Sequence, residues 1–191
     1  MHTHDPMHGD EPLSDDAVIA AMRDWLEKAV IGLNLCPFAK AVHVKRQVRY
    51  VVSQAETEEA LIEDLLHELQ LLASADPGDI ETTLLVHPGV LRDFLDYNDF
   101  LDIADAAVDE LELDGVLQVA SFHPHYQFAD SEPDDMANFS NRAPYPTLHL
   151  LREESVDRAV AAFPEADRIF EANIQALRAL GPDGWKRLFP Q

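Results

Sequence analysis

Two apolar segments of the sequence end in the same dipeptide, a histidine followed by a proline. Leu84–Val86 continues into His87-Pro88, and Ala120–Phe122 continues into His123-Pro124. A helical crossover between two such strands brings their carboxyl ends to one edge of a sheet, where open α/β folds bind ligands. The alternative is that each histidine bonds to the backbone of a nearby loop. We place the candidate pocket at this edge.

The second source of chemistry is the segment 123–146, which has the period of neither a helix nor a strand. Loops longer than about 12–15 residues are usually functional or disordered, and the aromatic residues of this one argue against disorder. It either folds into a site or covers the sheet edge. Its candidate functional residues are His123, His125, Tyr126, Asn138, Asn141 and Arg142.

These residue types suit an enzyme that acts on a small anionic metabolite. His123 or His125 would be the general acid or base, because imidazole titrates near neutral pH. Arg142, together with Lys40, would hold a carboxylate or phosphate, and His87 would contribute to ligand binding.

Cys36 would be either a nucleophile or part of the pocket wall. Pro37 suits the first position of a short helix, which would make Cys36 its N-cap and lower the pKa of the thiol. The alternative is a buried, inert cysteine.

Two other functions remain open. His123 and His125 could ligate Zn, Fe or Mn together with Asp130, Glu132 or His87. The third hypothesis is a non-catalytic protein that binds through its acidic surface, which a pocket of apolar side chains alone would favour. The sequence identifies no cofactor.

The order of predicted elements is typical of a single α/β domain. We predict a mixed, mostly parallel sheet of about four strands flanked by helices, with the fourth strand antiparallel at an edge. Residues 14–191 form this domain, and residues 1–13 are predicted to be a disordered tail. The predicted strands are Arg46–Ala55, Thr82–Val86, Val116–Phe122 and Thr147–Leu151.

The charge of the chain limits its partners. It has 36 Asp and Glu residues against 14 Lys and Arg, a formal net charge of −22, which argues against nucleic acid and anionic membrane surfaces as partners. No segment reaches the roughly 20 apolar residues of a membrane span, and the N-terminus lacks the features of a secretory signal. With a single cysteine, the chain is expected to be cytoplasmic. Its oligomeric state does not follow from the sequence.

Several segments together resemble a known family. They are Trp25-Leu26-Glu27, Gly32–Phe38, Leu84–Pro88 and the block Phe122–Leu151, in which His123–Phe128 is the most distinctive part. The chain resembles, over about residues 15–180, the bacterial family known as domain of unknown function 1415. The resemblance implies a bacterial cytoplasmic protein and brings no reaction, substrate or cofactor with it.

Overall fold

A computed structural model describes residues 14–163, 165 and 168–189. The predicted tail, residues 1–13, lies outside this part. The helices are α1 (Asp15–Trp25), α2 (Ala39–Val44), α3 (Glu58–Ser74), α4 (Phe94–Glu110), α5 (Glu153–Ala162) and α6 (Ile169–Leu188). The strands are β1 (Val48–Val52), β2 (Thr82–Val86), β3 (Leu117–Phe122) and β4 (Thr147–Arg152). A π-helix, Leu26–Ile31, continues α1, and a 3₁₀ helix spans Met136–Ser140.

The sheet has four strands in the order β1-β2-β4-β3. The predicted α/β fold with a four-stranded mixed sheet is confirmed, but the sheet is less parallel than expected. Only β1 and β2 pair in parallel, because β4 lies between β2 and β3 and runs antiparallel to both. The fourth strand is therefore antiparallel, as expected, but it is central and does not form an edge.

Side-chain caps fix the starts of α1 and α3. Ser14 Oγ accepts a hydrogen bond from the Ala17 N–H at 3.3 Å, and Thr57 Oγ1 accepts one from the Ala60 N–H at 3.3 Å. Each contact satisfies an amide that the first helical turn leaves without a partner.

The last helix bends at a glycine. Gly181 has φ 67° and ψ 173°, a left-handed conformation that glycine adopts without a steric penalty. The chain resumes as a helix at Pro182, whose fixed φ suits a first helical position. The helix is therefore kinked at this position.

Helices cover both faces of the sheet. One face packs against α3 and α4, and its core includes Leu85, Leu148 and Leu150. The other face packs against α1 and the π-helix, with Leu84 and Val86 in its core. Because side chains alternate along a strand, β4 turns Leu148 and Leu150 to the first face and His149 and Leu151 to the second. No helix in the described part of the chain is long and apolar enough to cross a membrane.

The chain between the π-helix and β1 differs from the prediction. Helix α2 begins at Ala39 with Phe38 as its N-cap, so Cys36 does not cap it. The residues before it form a turn in which the Ala39 N–H donates to the Cys36 carbonyl at 3.3 Å. Cys36 is half-buried and has no disulfide partner.

Candidate functional site

The ends of β2 and β3 bring His87 and His123 to the same edge of the sheet. Both strands run antiparallel to β4, so they point in one direction. The two imidazoles lie on the ring of Tyr97, with centroid distances of 5.8 Å from His87 and 5.0 Å from His123. Both histidines have 0% of their surface exposed. They therefore form a buried cluster with no access to solvent.

Backbone hydrogen bonds occupy most of the nitrogens of this cluster. His87 Nδ1 donates to the Val90 carbonyl at 3.0 Å, and His123 Nε2 donates to the Leu91 carbonyl at 3.2 Å. His123 Nδ1 accepts from the His125 N–H at 3.0 Å. Burial lowers the pKa of both histidines, that of His87 to about 4. Both rings are thus neutral at neutral pH, and their contacts hold the turns that follow the strands.

The loop after β3 is organised around Asn138, whose side chain is buried. Its Oδ1 accepts from the Phe128 N–H at 3.0 Å and from the Ser131 hydroxyl at 2.8 Å. Its Nδ2 donates to the Glu132 carbonyl at 2.8 Å. Asn141 ties the same loop to the sheet, since its Nδ2 donates to the Ser121 carbonyl at 3.1 Å. Both asparagines therefore bond to the protein itself.

Arg142 is also engaged within the loop. Its Nε donates to the Tyr126 carbonyl at 3.1 Å and its Nη2 to the Pro133 carbonyl at 2.6 Å. The guanidinium stacks 4.4 Å from the centre of the Phe139 ring. These contacts use two of the five N–H donors of the guanidinium.

The remaining predicted residues are dispersed. The Tyr126 ring packs 5.2 Å from Phe94, whereas His125 and Lys40 are exposed, the latter on α2. Among residues 14–163, 165 and 168–189, no three His, Cys, Asp or Glu side chains come together as a group that could hold a metal ion. The catalytic and ligand-binding roles of the loop residues stay predictions.

A cavity of about 380 Å³ lies on the other face of the sheet. The sheet forms its floor, and the π-helix, α2 and α5 form its walls. Its lining is mainly apolar and includes four aromatic rings, which are Trp25, Phe38, Phe122 and His149. Of the site residues predicted from the sequence, only Cys36 lines it.

The floor of the cavity follows from the strand register. Leu84, His149 and Ala120 lie side by side on β2, β4 and β3. In the next row toward the start of β2, Thr82 pairs with Leu151. The small side chain at Ala120 leaves space beside the imidazole, and the T-shaped pair of Trp25 and Phe122, with centroids 5.0 Å apart, borders this space.

His149 is the polar centre of the floor. Its Nε2 lies 2.8 Å from Thr82 Oγ1, which in turn lies 2.6 Å from the Leu150 carbonyl oxygen. The Phe122 ring packs against the imidazole with centroids 5.8 Å apart. Burial lowers the pKa of His149 to about 4, so the ring is neutral at physiological pH.

One wall of the cavity contains a π-helix. Leu26 and Val30 of the π-helix line the cavity, and π-helical turns occur frequently at functional sites. Phe38 and Phe163 form a T-shaped pair with centroids 6.0 Å apart, which joins the N-terminal end of α2 to the C-terminal end of α5.

Comparison with known protein families identifies the family to which the chain belongs. Residues 17–187 match the family described as protein of unknown function, DUF1415. The chain belongs to this family. No curated protein and no solved structure matches it. A function for this DUF1415 protein is therefore inferred from its own geometry.

The residue that the sequence analysis missed is His149. The segment TLHLL was correctly predicted as a strand, but its histidine was not included among the candidate site residues. Period-two alternation was the available signal, since it puts His149 on the opposite face from Leu148 and Leu150. That this second face borders a cavity depends on how α5 packs, which the strand pattern does not contain.

Proposed function

We propose that this protein binds a small aromatic molecule in the cavity between its sheet and the helices α2 and α5. One observation carries the proposal: the cavity measures about 380 Å³ and has mainly apolar walls with four aromatic rings. Ligand sites in proteins are typically concave, about 300–1,000 Å³ in volume, and mainly hydrophobic with a few placed polar groups.

The volume sets the size of the ligand. A cavity of about 150 Å³ accommodates benzene, which has six carbon atoms. By proportion, a cavity of about 380 Å³ accommodates about 15 non-hydrogen atoms. This corresponds to a bicyclic aromatic compound with a short substituent.

Small side chains on three sides support a role in binding. Ala39, Ala120 and Ala159 line the cavity from α2, β3 and α5. Helix α5 has no fully buried residue, although Val156 and Ala159 face the cavity. Protein interiors are close-packed, and larger side chains at these positions would fill the space. A bound molecule would supply the contacts that these positions leave unmade.

An anionic ligand has less support in this cavity. The charged residues that line it are Glu81 and Arg152. The Arg152 Nη2 donates to the carbonyls of Ala75 and Ile80 at 2.9 and 3.0 Å, so one nitrogen of the guanidinium is already engaged, and the lining carries one charge of each sign. The expectation of an anionic metabolite held by Arg142 remains a prediction about the loop.

The test is a binding titration with benzofuran, a nine-atom aromatic probe without a hydrogen-bond donor. At about 0.5 kcal/mol per atom, its Kd would be on the order of 0.5 mM. Amide chemical shifts in ¹⁵N-labelled protein should change around Ala120 and Leu84, at the cavity floor.

Two tryptophan variants of α5 provide a matched pair. Ala159→Trp places an indole in the cavity and should abolish benzofuran binding. Ala161→Trp adds the same ring at an exposed position of the same helix and should leave Kd within twofold of wild type. If benzofuran does not bind, or binds equally well to Ala159→Trp, the proposed function is wrong.

The second candidate is an enzyme that uses the same cavity. It is favoured by one observation, that the thiol of Cys36 and the imidazole of His149 both line it. N-ethylmaleimide should then alkylate Cys36 in the folded protein, and saturating benzofuran should slow the reaction. Ala159→Trp should slow it as well, whereas Ala161→Trp should not. An alkylation rate that neither benzofuran nor Ala159→Trp changes would place the thiol outside the ligand's reach.

A further inference from the structure

We propose that the cavity selects aromatic ligands that donate a hydrogen bond, and that Nδ1 of His149 is the atom that accepts it. The inference rests on the proposed function, since it names the chemical class of ligand for the same cavity. It differs from the anion expected from the sequence, because a lone pair on the protein attracts an N–H or O–H group and repels a carboxylate.

The positions of the protons follow from the hydrogen bonds at the cavity floor. The Leu150 carbonyl can only accept, so the hydroxyl proton of Thr82 points to it across 2.6 Å. Thr82 Oγ1 then has only lone pairs to offer His149 Nε2 at 2.8 Å. Nε2 must therefore carry the ring proton. In a neutral imidazole the other nitrogen, Nδ1, then has a free lone pair.

Nδ1 is placed to meet a ligand. His149 is only partly buried and lines the cavity, and no donor in the described part of the chain forms a hydrogen bond with Nδ1. Burial also keeps the ring neutral, since the pKa of His149 lies at about 4. The lone pair is therefore present at physiological pH and is not lost to protonation.

The surroundings of the imidazole disfavour an anion. Glu81 lines the cavity, and Nη2 of Arg152, one of its three guanidinium nitrogens, already donates to two backbone carbonyls. The formal net charge of −22 adds a long-range negative potential, which repels an anion. A neutral donor such as an indole or a phenol meets none of these penalties.

The tautomer can be tested without any ligand. The ¹⁵N chemical shifts of the His149 ring should show a protonated Nε2 and an unprotonated Nδ1 at pH 7. Thr82→Val removes the acceptor for Nε2 and should allow the other tautomer, whereas Thr82→Ser keeps the hydroxyl and should restore the wild-type shifts. A protonated Nδ1 in wild-type protein would overturn the inference.

Ligand selection is tested with three probes whose bicyclic rings have the same size. Indole, which donates through its N–H, should bind about fivefold more tightly than benzofuran, the factor that one net neutral hydrogen bond contributes. Benzofuran-2-carboxylate should bind at least about tenfold more weakly than benzofuran, since an ionised group in an apolar site is costly. His149→Phe keeps a ring but removes the lone pair, so indole should lose its advantage and the ratio of the benzofuran Kd to the indole Kd should fall from about 5 to about 1.

The outcomes separate this inference from the proposed function. If benzofuran binds in the cavity but indole is not preferred, or the preference survives His149→Phe, the selectivity inference is wrong and the proposed function stands. Tightest binding by the carboxylate would also overturn the inference. If neither indole nor benzofuran binds, the proposed function and the inference fail together.

Discussion

His87 shows how one buried residue makes stability depend on pH. Burial lowers its pKa from 6.5 to about 4, so between these values the unfolded chain binds a proton that the folded chain does not. The contribution of His87 to stability therefore decreases as the pH falls from 6.5 through 4 and does not change above this range. Between pH 7 and about pH 4.5 the contribution of His87 amounts to about 2 kcal/mol.

His87→Asn isolates this effect. The side-chain amide of asparagine can replace Nδ1 as the donor to the Val90 carbonyl, but it does not titrate. The free energy of unfolding, measured with urea at pH 7 and pH 4.5, should decrease by about 2 kcal/mol less in the variant than in wild type. Equal decreases would mean that His87 has an ordinary pKa in the folded protein.

The sequence predicted the positions of single residues better than their roles. The repeated His-Pro step correctly indicated that His87 and His123 lie at one edge of the sheet. Their surroundings were not predictable, because the backbone carbonyls of Val90 and Leu91 bond to the rings only after the following turns fold. Conversely, His149 was hidden in a strand whose leucines dominate its pattern.

At the scale of elements, the loop 123–146 is held together by its own polar side chains. Arg142 donates to the Tyr126 and Pro133 carbonyls, so it links separate parts of the loop to one another. Arg142→Met keeps an unbranched side chain over the Phe139 ring but removes both hydrogen bonds. We expect the free energy of unfolding to decrease by about 2 kcal/mol and the benzofuran Kd to stay within twofold, because no residue of 123–146 lines the cavity.

Lys40→Met is the matched control for this prediction. It removes a positive charge from an exposed position on α2 and should change stability by less than about 0.5 kcal/mol. Both quantities can be measured by urea denaturation and by titration. If Arg142→Met leaves stability unchanged but abolishes binding of the probe, the loop is part of the ligand site.

The strands were predictable because each is short and apolar between turn residues. The segment Thr82–Val86 was predicted with its observed bounds, whereas Arg46–Ala55 was too long by several residues, since β1 spans Val48–Val52. The order of the strands was not predictable from local patterns. Four segments of five or six residues can pair in several ways, and the insertion of β4 between β2 and β3 depends on long-range contacts.

At the scale of the whole molecule, the two faces of the sheet are filled differently. The face under α3 and α4 has a core in which Leu61, Leu65, Leu69 and Leu72 are fully buried, and the cleft of about 360 Å³ beside α3 has Glu63, Asp64 and His67 in its lining. The face under α2 and α5 retains a cavity of about 380 Å³. A protein selected for stability alone would fill that volume, because cavity-filling substitutions commonly add about 0.5–2 kcal/mol.

Ala159→Trp measures how much the free energy of unfolding changes when a side chain fills this cavity. The indole would bury its apolar surface against Trp25, Phe122 and the sheet, so the free energy of unfolding should increase by about 1 kcal/mol. Ala161→Trp, on the exposed side of α5, should change it by less than about 0.5 kcal/mol.

Benzofuran at a concentration well above its Kd should stabilise wild type and Ala161→Trp by mass action and leave Ala159→Trp unchanged. Thermal or urea unfolding of the three proteins, with and without the probe, measures these changes in stability. If Ala159→Trp is less stable than Ala161→Trp, the indole does not fit between the layers, and the cavity in solution is smaller than 380 Å³.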